Sequence, residues 1–315
     1  MVENHIIEVD SLYHRYDDRV ALQGISFNVN AGTIFGLLGP NGGGKTTTFK
    51  ILSTLLKPTS GSARICGVDV SKDPRQVRNL IGVVFQSPAV DVKLTVEENL
   101  RHQGHLYGLK GATLASRIKD VIERLGLADR TNDFVEKLSG GLQRRVEIAK
   151  SFLHRPPLLL LDEPSTGLDP AARRDLWSYL ESLRDCEGVT IVLTTHIMEE
   201  AEGCNQVGIL DQGRLVAMGT PNDLKAEIGG DVISAQTQDP NQLSGKIKER
   251  FGGEPAVVGD TVRIERSRGH EFITELVEAF PGQISSITMG RPTLEDVFIQ
   301  HTGHRFSDEE RASAA

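Results

Sequence analysis

The chain is short of positive charge, of long apolar runs and of cysteine, and each shortage excludes something. Its 35 Lys and Arg stand against 43 Asp and Glu, for a formal net charge of −8. A nucleic-acid partner would favour a basic face, so none is expected. No stretch approaches the roughly 18 apolar residues needed to span a bilayer, and the opening MVENHIIEVD has no apolar signal core. The reading is a cytoplasmic protein with no span of its own. Cys66, Cys186 and Cys204 show neither metal-ligand nor redox spacing, as expected of reduced thiols. What remains, 315 residues with 38% hydrophobic and 25% charged content, is globular: a large α/β domain and a small one.

The most telling segment is GPNGGGKTT, comprising Gly39, Pro40, Asn41, Gly42, Gly43, Gly44, Lys45, Thr46 and Thr47. It fits G-x-x-x-x-G-K-[ST] and opens a helix directly behind the apolar strand Thr33–Leu38. Glycines let the backbone turn tightly and aim successive N–H groups inward, where the helix N-terminus adds partial positive charge. Lys45 can then reach β- and γ-phosphates, and Thr46 can ligate Mg²⁺. An ordinary glycine-rich turn would not need the lysine and threonine in this strand–loop–helix setting.

Three further apolar strands end in polar tips. Leu158–Leu161 terminates in Asp162 and Glu163, at the carboxyl end of a buried parallel strand, where open α/β sheets bind ligands. Asp162 is placed to hold Mg²⁺ through water, and Glu163 to act as general base towards the attacking water. The strand Ile191–Thr195 ends in His196, whose imidazole could sense a γ-phosphate. Ile81–Phe85 ends in Gln86, an amide able to reach Mg²⁺ and the attacking water without adding charge.

Together with Leu138–Arg145, which reads LSGGLQRR, these residues make the chain resemble the nucleotide-binding subunit of an ABC transporter. The resemblance implies an α/β fold: a P-loop NTPase core with an antiparallel β subdomain and a helical subdomain, plus a small C-terminal α+β domain. It covers residues from about 5 to about 227. In the family the signature closes over ATP bound to a second subunit, so Ser139, Gly140 and Gly141 are expected to act on the partner's nucleotide. Ser139 also begins an amphipathic helix with Leu142, Val146, Ala149 and Leu153, and an ordinary Ser cap is the local alternative.

Tyr16, before Ala21 and Leu22, matches the aromatic that stacks on adenine, with Tyr13 as a nearby competitor. Asp169 in Ser165–Pro170 matches the loop linking two ATP sites across a dimer, and it also reads as the cap of the helix begun by Pro170. Two positions depart from the pattern. Leu142 stands where Gln is usual, which puts a side-chain contact to ribose in doubt, and Gly43 replaces the usual Ala, which should loosen the loop. Neither removes a catalytic group. The expected catalytic set is therefore Glu163, His196, Gln86 and Lys45, the metal set is Thr46, Gln86 and Asp162, and the cofactors are ATP and Mg²⁺.

Between Gln86 and the signature the pattern is helical. Thr95–Glu98 reads as a capping box, followed by Val96, Leu100 and Tyr107, then by Leu114, Ile118, Val121, Ile122 and Leu125. Residues 1–228 are expected to form the ATP-binding domain, with the helical subdomain at about 90–150. In the family a groove beside the Gln86 loop receives a permease helix, which points to Ser87–Lys93. Residues 229–303 read as βαββαβ, the order of a ferredoxin-like domain, serving as a dimer-supporting or regulatory appendage. Within it Pro292–Phe298 resembles the ending of antibiotic-resistance and polysaccharide exporter ATPases. The tail 304–315 reads as disordered.

The expected function is the ATP-hydrolysing subunit of an exporter, peripheral on the cytoplasmic face of the membrane. Its partners are then a second ATP-binding subunit, expected as a homodimer, and a polytopic permease. The alternatives are a non-transport ABC ATPase, which usually carries two such domains or a long coiled coil, and a regulatory ATP-binding protein, which would lack the base that Glu163 supplies.

Overall fold

Residues 4–306 are described by a computed structural model, in which the chain divides between Leu215 and Val216 into two units. The expected disordered tail lies, from residue 307 on, outside the described residues.

In the first unit β1 (His5–Tyr16) and β2 (Arg19–Asn30) form an antiparallel hairpin. Along β2, Leu22, Ile25, Phe27 and Val29 are buried between polar neighbours, the alternation of a sheet with one face covered. β3 (Ile34–Leu38) is buried at all five positions and runs through the glycine loop into α1 (Lys45–Leu52). β4 (Ser60–Ile65) and β5 (Val68–Asp69) complete a sheet of order β2-β1-β4-β5. Asp73 then caps α2 (Pro74–Leu80), which leads into β6 (Ile81–Val84).

The helical segment follows. Thr95 and Glu98 make the expected capping box at the start of α3 (Val96–Leu106), and α4 (Gly111–Arg124) buries Leu114, Ile118, Val121 and Ile122. α5 (Gly140–Phe152) begins at the Ser-Gly-Gly turn. From there β7 (Leu158–Asp162), α6 (Pro170–Glu187), β8 (Thr190–Thr195), α7 (Met198–Glu202), β9 (Gln206–Asp211) and β10 (Arg214–Gly219) follow. The central sheet has the order β10-β9-β3-β8-β7-β6, and the unit division falls within β10. Strands β9, β3, β8, β7 and β6 are parallel, with Leu38 opposite Thr195, Asp162 opposite Thr194 and Val84 opposite Leu161. This register brings the polar tips of β3, β6, β7 and β8 to one edge of the sheet.

In the second unit α8 (Pro221–Ala226) precedes β11 (Asp231–Gln236), α9 (Pro240–Phe251), β12 (Ala256–Val258), β13 (Thr261–Arg266), α10 (Gly269–Ala279) and β14 (Ser286–Gly290). The antiparallel order β12-β13-β11-β14 is the ferredoxin-like arrangement implied by the βαββαβ pattern. Ile233, Val262, Ile264, Leu243, Ile247, Phe272 and Leu276 form its core. The Pro292–Phe298 segment becomes α11 (Leu294–Thr302), a helix that composition alone did not reveal. Thr293 and Asp296 close a capping box at its start, and Leu294, Val297 and Phe298 are fully buried.

Two side chains, the buried Arg144 and the half-buried His154, tie α5 and its flank to the sheet. Arg144 donates to the carbonyls of Phe85 (2.7 Å), Asp162 (3.3 Å), Glu163 (3.3 Å) and Pro164 (2.7 Å), and pairs with Glu147 at 2.6 Å. Glu147 in turn accepts from the Ala89 N–H at 2.6 Å. His154, just beyond α5, stacks on Tyr107 with ring centroids 3.8 Å apart and donates from Nε2 to the Ile81 carbonyl at 3.1 Å. Burial pushes its imidazolium down to about 4.

Two outcomes follow from these ties. Arg144→Ala leaves a buried carboxylate and several carbonyls without their donor, so it should lower the stability of this unit by about 3–5 kcal/mol, read as a shift in urea midpoint. Arg144→Met with Glu147→Leu should recover part of that loss. For His154, the unfolded ring titrates near 6.5 and the folded ring near 4. Over that interval the unfolded chain takes up a proton that the folded chain refuses. The stability present above pH 6.5 is therefore lost as the pH falls towards 4. His154→Gln, which keeps a donor for Ile81, should show a shallower fall in melting temperature across the same interval.

Candidate functional site

The glycine loop is shaped by what surrounds it. A Cβ on Gly39 would stand 2.3 Å from the Leu210 carbonyl oxygen, so no larger residue fits where the loop passes β9. Gly44, the N-cap of α1, has φ +107°, and a Cβ there would meet the Leu22 side chain at 2.9 Å. At Gly43 a Cβ would lie 3.1 Å from two carbonyl oxygens, those of Leu210 and Pro40, so an alanine there would press on the loop backbone by a few tenths of an ångström. Lys45, the first residue of α1, is buried and donates to the carbonyls of Gly39 (2.6 Å) and Pro40 (3.0 Å).

Beside the loop lies a cavity of about 300 Å³ lined by Tyr16, Arg19, Ala21, Pro40, Asn41, Gly42, Gly44, Lys45, Thr46, Thr47, Lys50, Gln86 and Glu163. Of the two candidate aromatics, Tyr16 lines the cavity and Tyr13 does not. Tyr16 is held edge-on to the buried His14 ring, with centroids 4.6 Å apart.

Glu163 is the point of convergence. Its Oε1 lies 3.7 Å from Lys45 Nζ and 3.3 Å from His196 Nδ1, and its Oε2 accepts from Gln86 Nε2 and Thr166 Oγ1, both at 3.2 Å. Its backbone takes φ +45°, a left-handed conformation that strains a residue with a Cβ. The Glu163 N–H holds that conformation by donating to Thr194 Oγ1 at 3.0 Å and to the Thr194 carbonyl at 3.2 Å. The His196 contact, with the Lys45 ammonium, keeps the Glu163 carboxyl below its ordinary range against the opposing effect of burial. It is thus ionised at neutral pH, as a base must be.

Asp162 behaves in the opposite way. Burial pushes its carboxyl up, only partly countered by the Thr194 hydroxyl that donates to Oδ1 at 2.5 Å. Among the described residues Oδ2 accepts no hydrogen bond. A buried carboxylate with one oxygen free, next in the chain to Glu163 on the cavity wall, suits a hard divalent cation.

The other expected residues lie elsewhere. Ser139, Gly140, Gly141 and Asp169 do not line this cavity. Ser139 caps α5 by accepting from the Leu142 N–H at 3.4 Å. Asp169 caps α6 by accepting from the Ala171 and Ala172 N–H groups at 2.9 Å. Gly141 permits these two helix starts to approach, since a Cβ there would stand 2.8 Å from the Ala172 Cβ.

Three functional residues escaped the sequence reading. Arg144 holds the backbone around Asp162 and Glu163, and Thr194 orients both acids. Glu200, buried in α7, accepts from the hydroxyls of Ser165 and Thr195, with Thr195 at 2.6 Å, and so joins the loops that carry Glu163 and His196. No local signal marked them, because an Arg, a Glu or a Thr reads the same in a periodic pattern whether it meets solvent or a buried polar group.

Known proteins share this architecture. Residues 22–166 match the ABC transporter family. The daunorubicin resistance ATP-binding protein DrrA2 of Streptomyces coeruleorubidus is 37% identical, covering 100% of both chains. The Nod factor export ATP-binding protein I of Cupriavidus pinatubonensis is 38% identical over 96% of this chain and 92% of its own. Among solved structures, cbiO1 from Clostridium perfringens, part of the ABC transporter complex cbiONQ, superposes with a TM-score of 0.67 at 28% identity, covering 79% of this chain and 96% of the other. The chain therefore belongs to the ABC transporter family, as an ATP-binding subunit that hydrolyses ATP.

Proposed function

We propose that this subunit powers an exporter, with ATP held in the cavity beside the glycine loop and Glu163 acting as general base. The observation that carries the reading is the gathering of Lys45, Gln86, Thr166 and His196 around a strained, ionised Glu163. Tyr16 offers its face to the adenine, Lys45 and the loop N–H groups take the phosphates, and Gln86 and His196 orient the water from which Glu163 accepts a proton. Thr46, Gln86 and Asp162 would hold Mg²⁺, which when bound neutralises charge developing on the phosphates. Ser139, Gly140 and Gly141 stand away from the cavity at the N-terminus of α5, which supports a role on the nucleotide of a second copy. Asp169, at the start of the neighbouring α6, is placed to follow that contact.

Export follows from the relatives named above, whose names assign them drug resistance and Nod factor export. Among the described residues no helix is long and apolar enough to cross a membrane, which supports a separate permease and a place on the cytoplasmic face. A groove of about 340 Å³, with Leu55, Phe85, Ala89, Tyr107 and Lys150 on its walls, suits a short helix of that permease. Its rim is firm, because Ala89 is held on both sides, its N–H by Glu147 and its carbonyl by Lys150 at 2.5 Å. The domain division is proposed as an ATP-binding domain over 1–228 and an accessory domain over 229–303.

Glu163→Gln tests the base. It retains size and hydrogen bonding but cannot take the proton, so hydrolysis should fall about 100- to 10,000-fold while ATP still binds. Size-exclusion chromatography of this variant with ATP should show a stable dimer. Hydrolysis at the wild-type rate would remove Glu163 from the mechanism.

A further inference from the structure

We infer that Arg19 is a second nucleotide-binding cation, a guanidinium that grips the phosphate chain of ATP in addition to Lys45. The inference rests on the nucleotide site proposed above and adds to it a residue on a different element. Arg19 opens β2 and is the direct cross-strand partner of Tyr16, across the two-residue turn Asp17-Asp18. Directly opposed residues of an antiparallel pair point to the same face. The hairpin tip thus presents an aromatic ring and a guanidinium side by side, and both line the cavity.

The guanidinium is aimed at the phosphate loop. Its Nη2 lies 3.2 Å from the point where a Cβ on Gly42 would stand, so the head group rests over the loop where the backbone carries no side chain. Asp17 and Asp18 precede it in the chain, yet the Arg19 side chain makes no hydrogen bond and no ion pair with any described residue. An arginine with five donors and no protein acceptor, held over a phosphate-binding loop, is arranged for an anionic ligand.

The charge of the cavity points the same way. In a chain of net charge −8, the wall carries three cationic side chains, Arg19, Lys45 and Lys50, against the single carboxylate of Glu163. A planar guanidinium matches two phosphate oxygens at once, whereas the Lys45 ammonium acts as a point charge. Tyr16 and Arg19 therefore divide one ligand between them, the ring for the base and the guanidinium for the phosphates.

Equilibrium binding of ATP, ADP and adenosine to the full chain tests this, with Arg19→Ala, Arg19→Lys and Lys45→Ala compared against wild type. Arg19 is exposed and unpartnered, so Arg19→Ala should keep the wild-type melting temperature. It should weaken ATP on the order of ten-fold, about 1.4 kcal/mol, weaken ADP as well, and leave adenosine unchanged. Arg19→Lys should fall between the two. Wild-type ATP affinity in Arg19→Ala, with Lys45→Ala impaired, would overturn the role of Arg19 and leave the nucleotide site standing. An equal loss for adenosine would also overturn it, since Arg19 would then act through the Tyr16 hairpin. ATP binding untouched by either Arg19→Ala or Lys45→Ala would remove the nucleotide site itself.

Discussion

A single buried guanidinium organises the catalytic edge of this protein. Arg144 reaches from α5 to the carbonyl just after β6 and to those at and beyond the end of β7, and its charge is balanced by Glu147 one turn on. Carbonyls at strand ends have no ladder partner, and burying them unpaired is costly. A planar group with five donors satisfies several of them at once. The consequence is mechanical: the helix that begins at the Ser-Gly-Gly turn cannot shift without disturbing the backbone that presents Asp162, Glu163 and Gln86.

That coupling matters because Glu163 sits in a conformation it would not choose. A left-handed backbone at a β-carbon-bearing residue persists only where its surroundings over-determine it. Here Thr194 holds the amide while Lys45, Gln86, Thr166 and His196 hold the carboxylate. The adjacent acids then differ in character for local reasons. Glu163 faces cations and donors that hold its carboxyl below the ordinary range, whereas burial pushes the carboxyl of Asp162 up. Glu200 extends the network by bridging Ser165 and Thr195, so the acidic loop and the histidine loop share one buried anchor.

The second unit obeys simpler rules. Its elements follow the βαββαβ order that the periodicity predicted, with α9 over Pro240–Phe251. Its core is apolar and aromatic, with Phe272 and Phe280 packed edge-on to Phe251 at 5.0 and 6.2 Å. α11 was legible only as a family ending, because its apolar face is short and its capping box uses Asp where the usual pattern has Glu or Gln.

The amino-acid sequence alone determined what depends on neighbours in the chain. The glycine loop before α1, the apolar strands with polar tips, the capping box at Thr95 and the βαββαβ order all follow from local backbone chemistry and periodicity. Tertiary structure decided which distant groups meet. The reach of Arg144 to four carbonyls, the strain at Glu163, the bridging by Glu200 and the rest of Arg19 over Gly42 depend on strand register and on how closely helices pack against the sheet. No local pattern encodes them. A lone Arg or Glu in a helix reads the same whether it faces solvent or a buried carbonyl, and only packing tells the two apart.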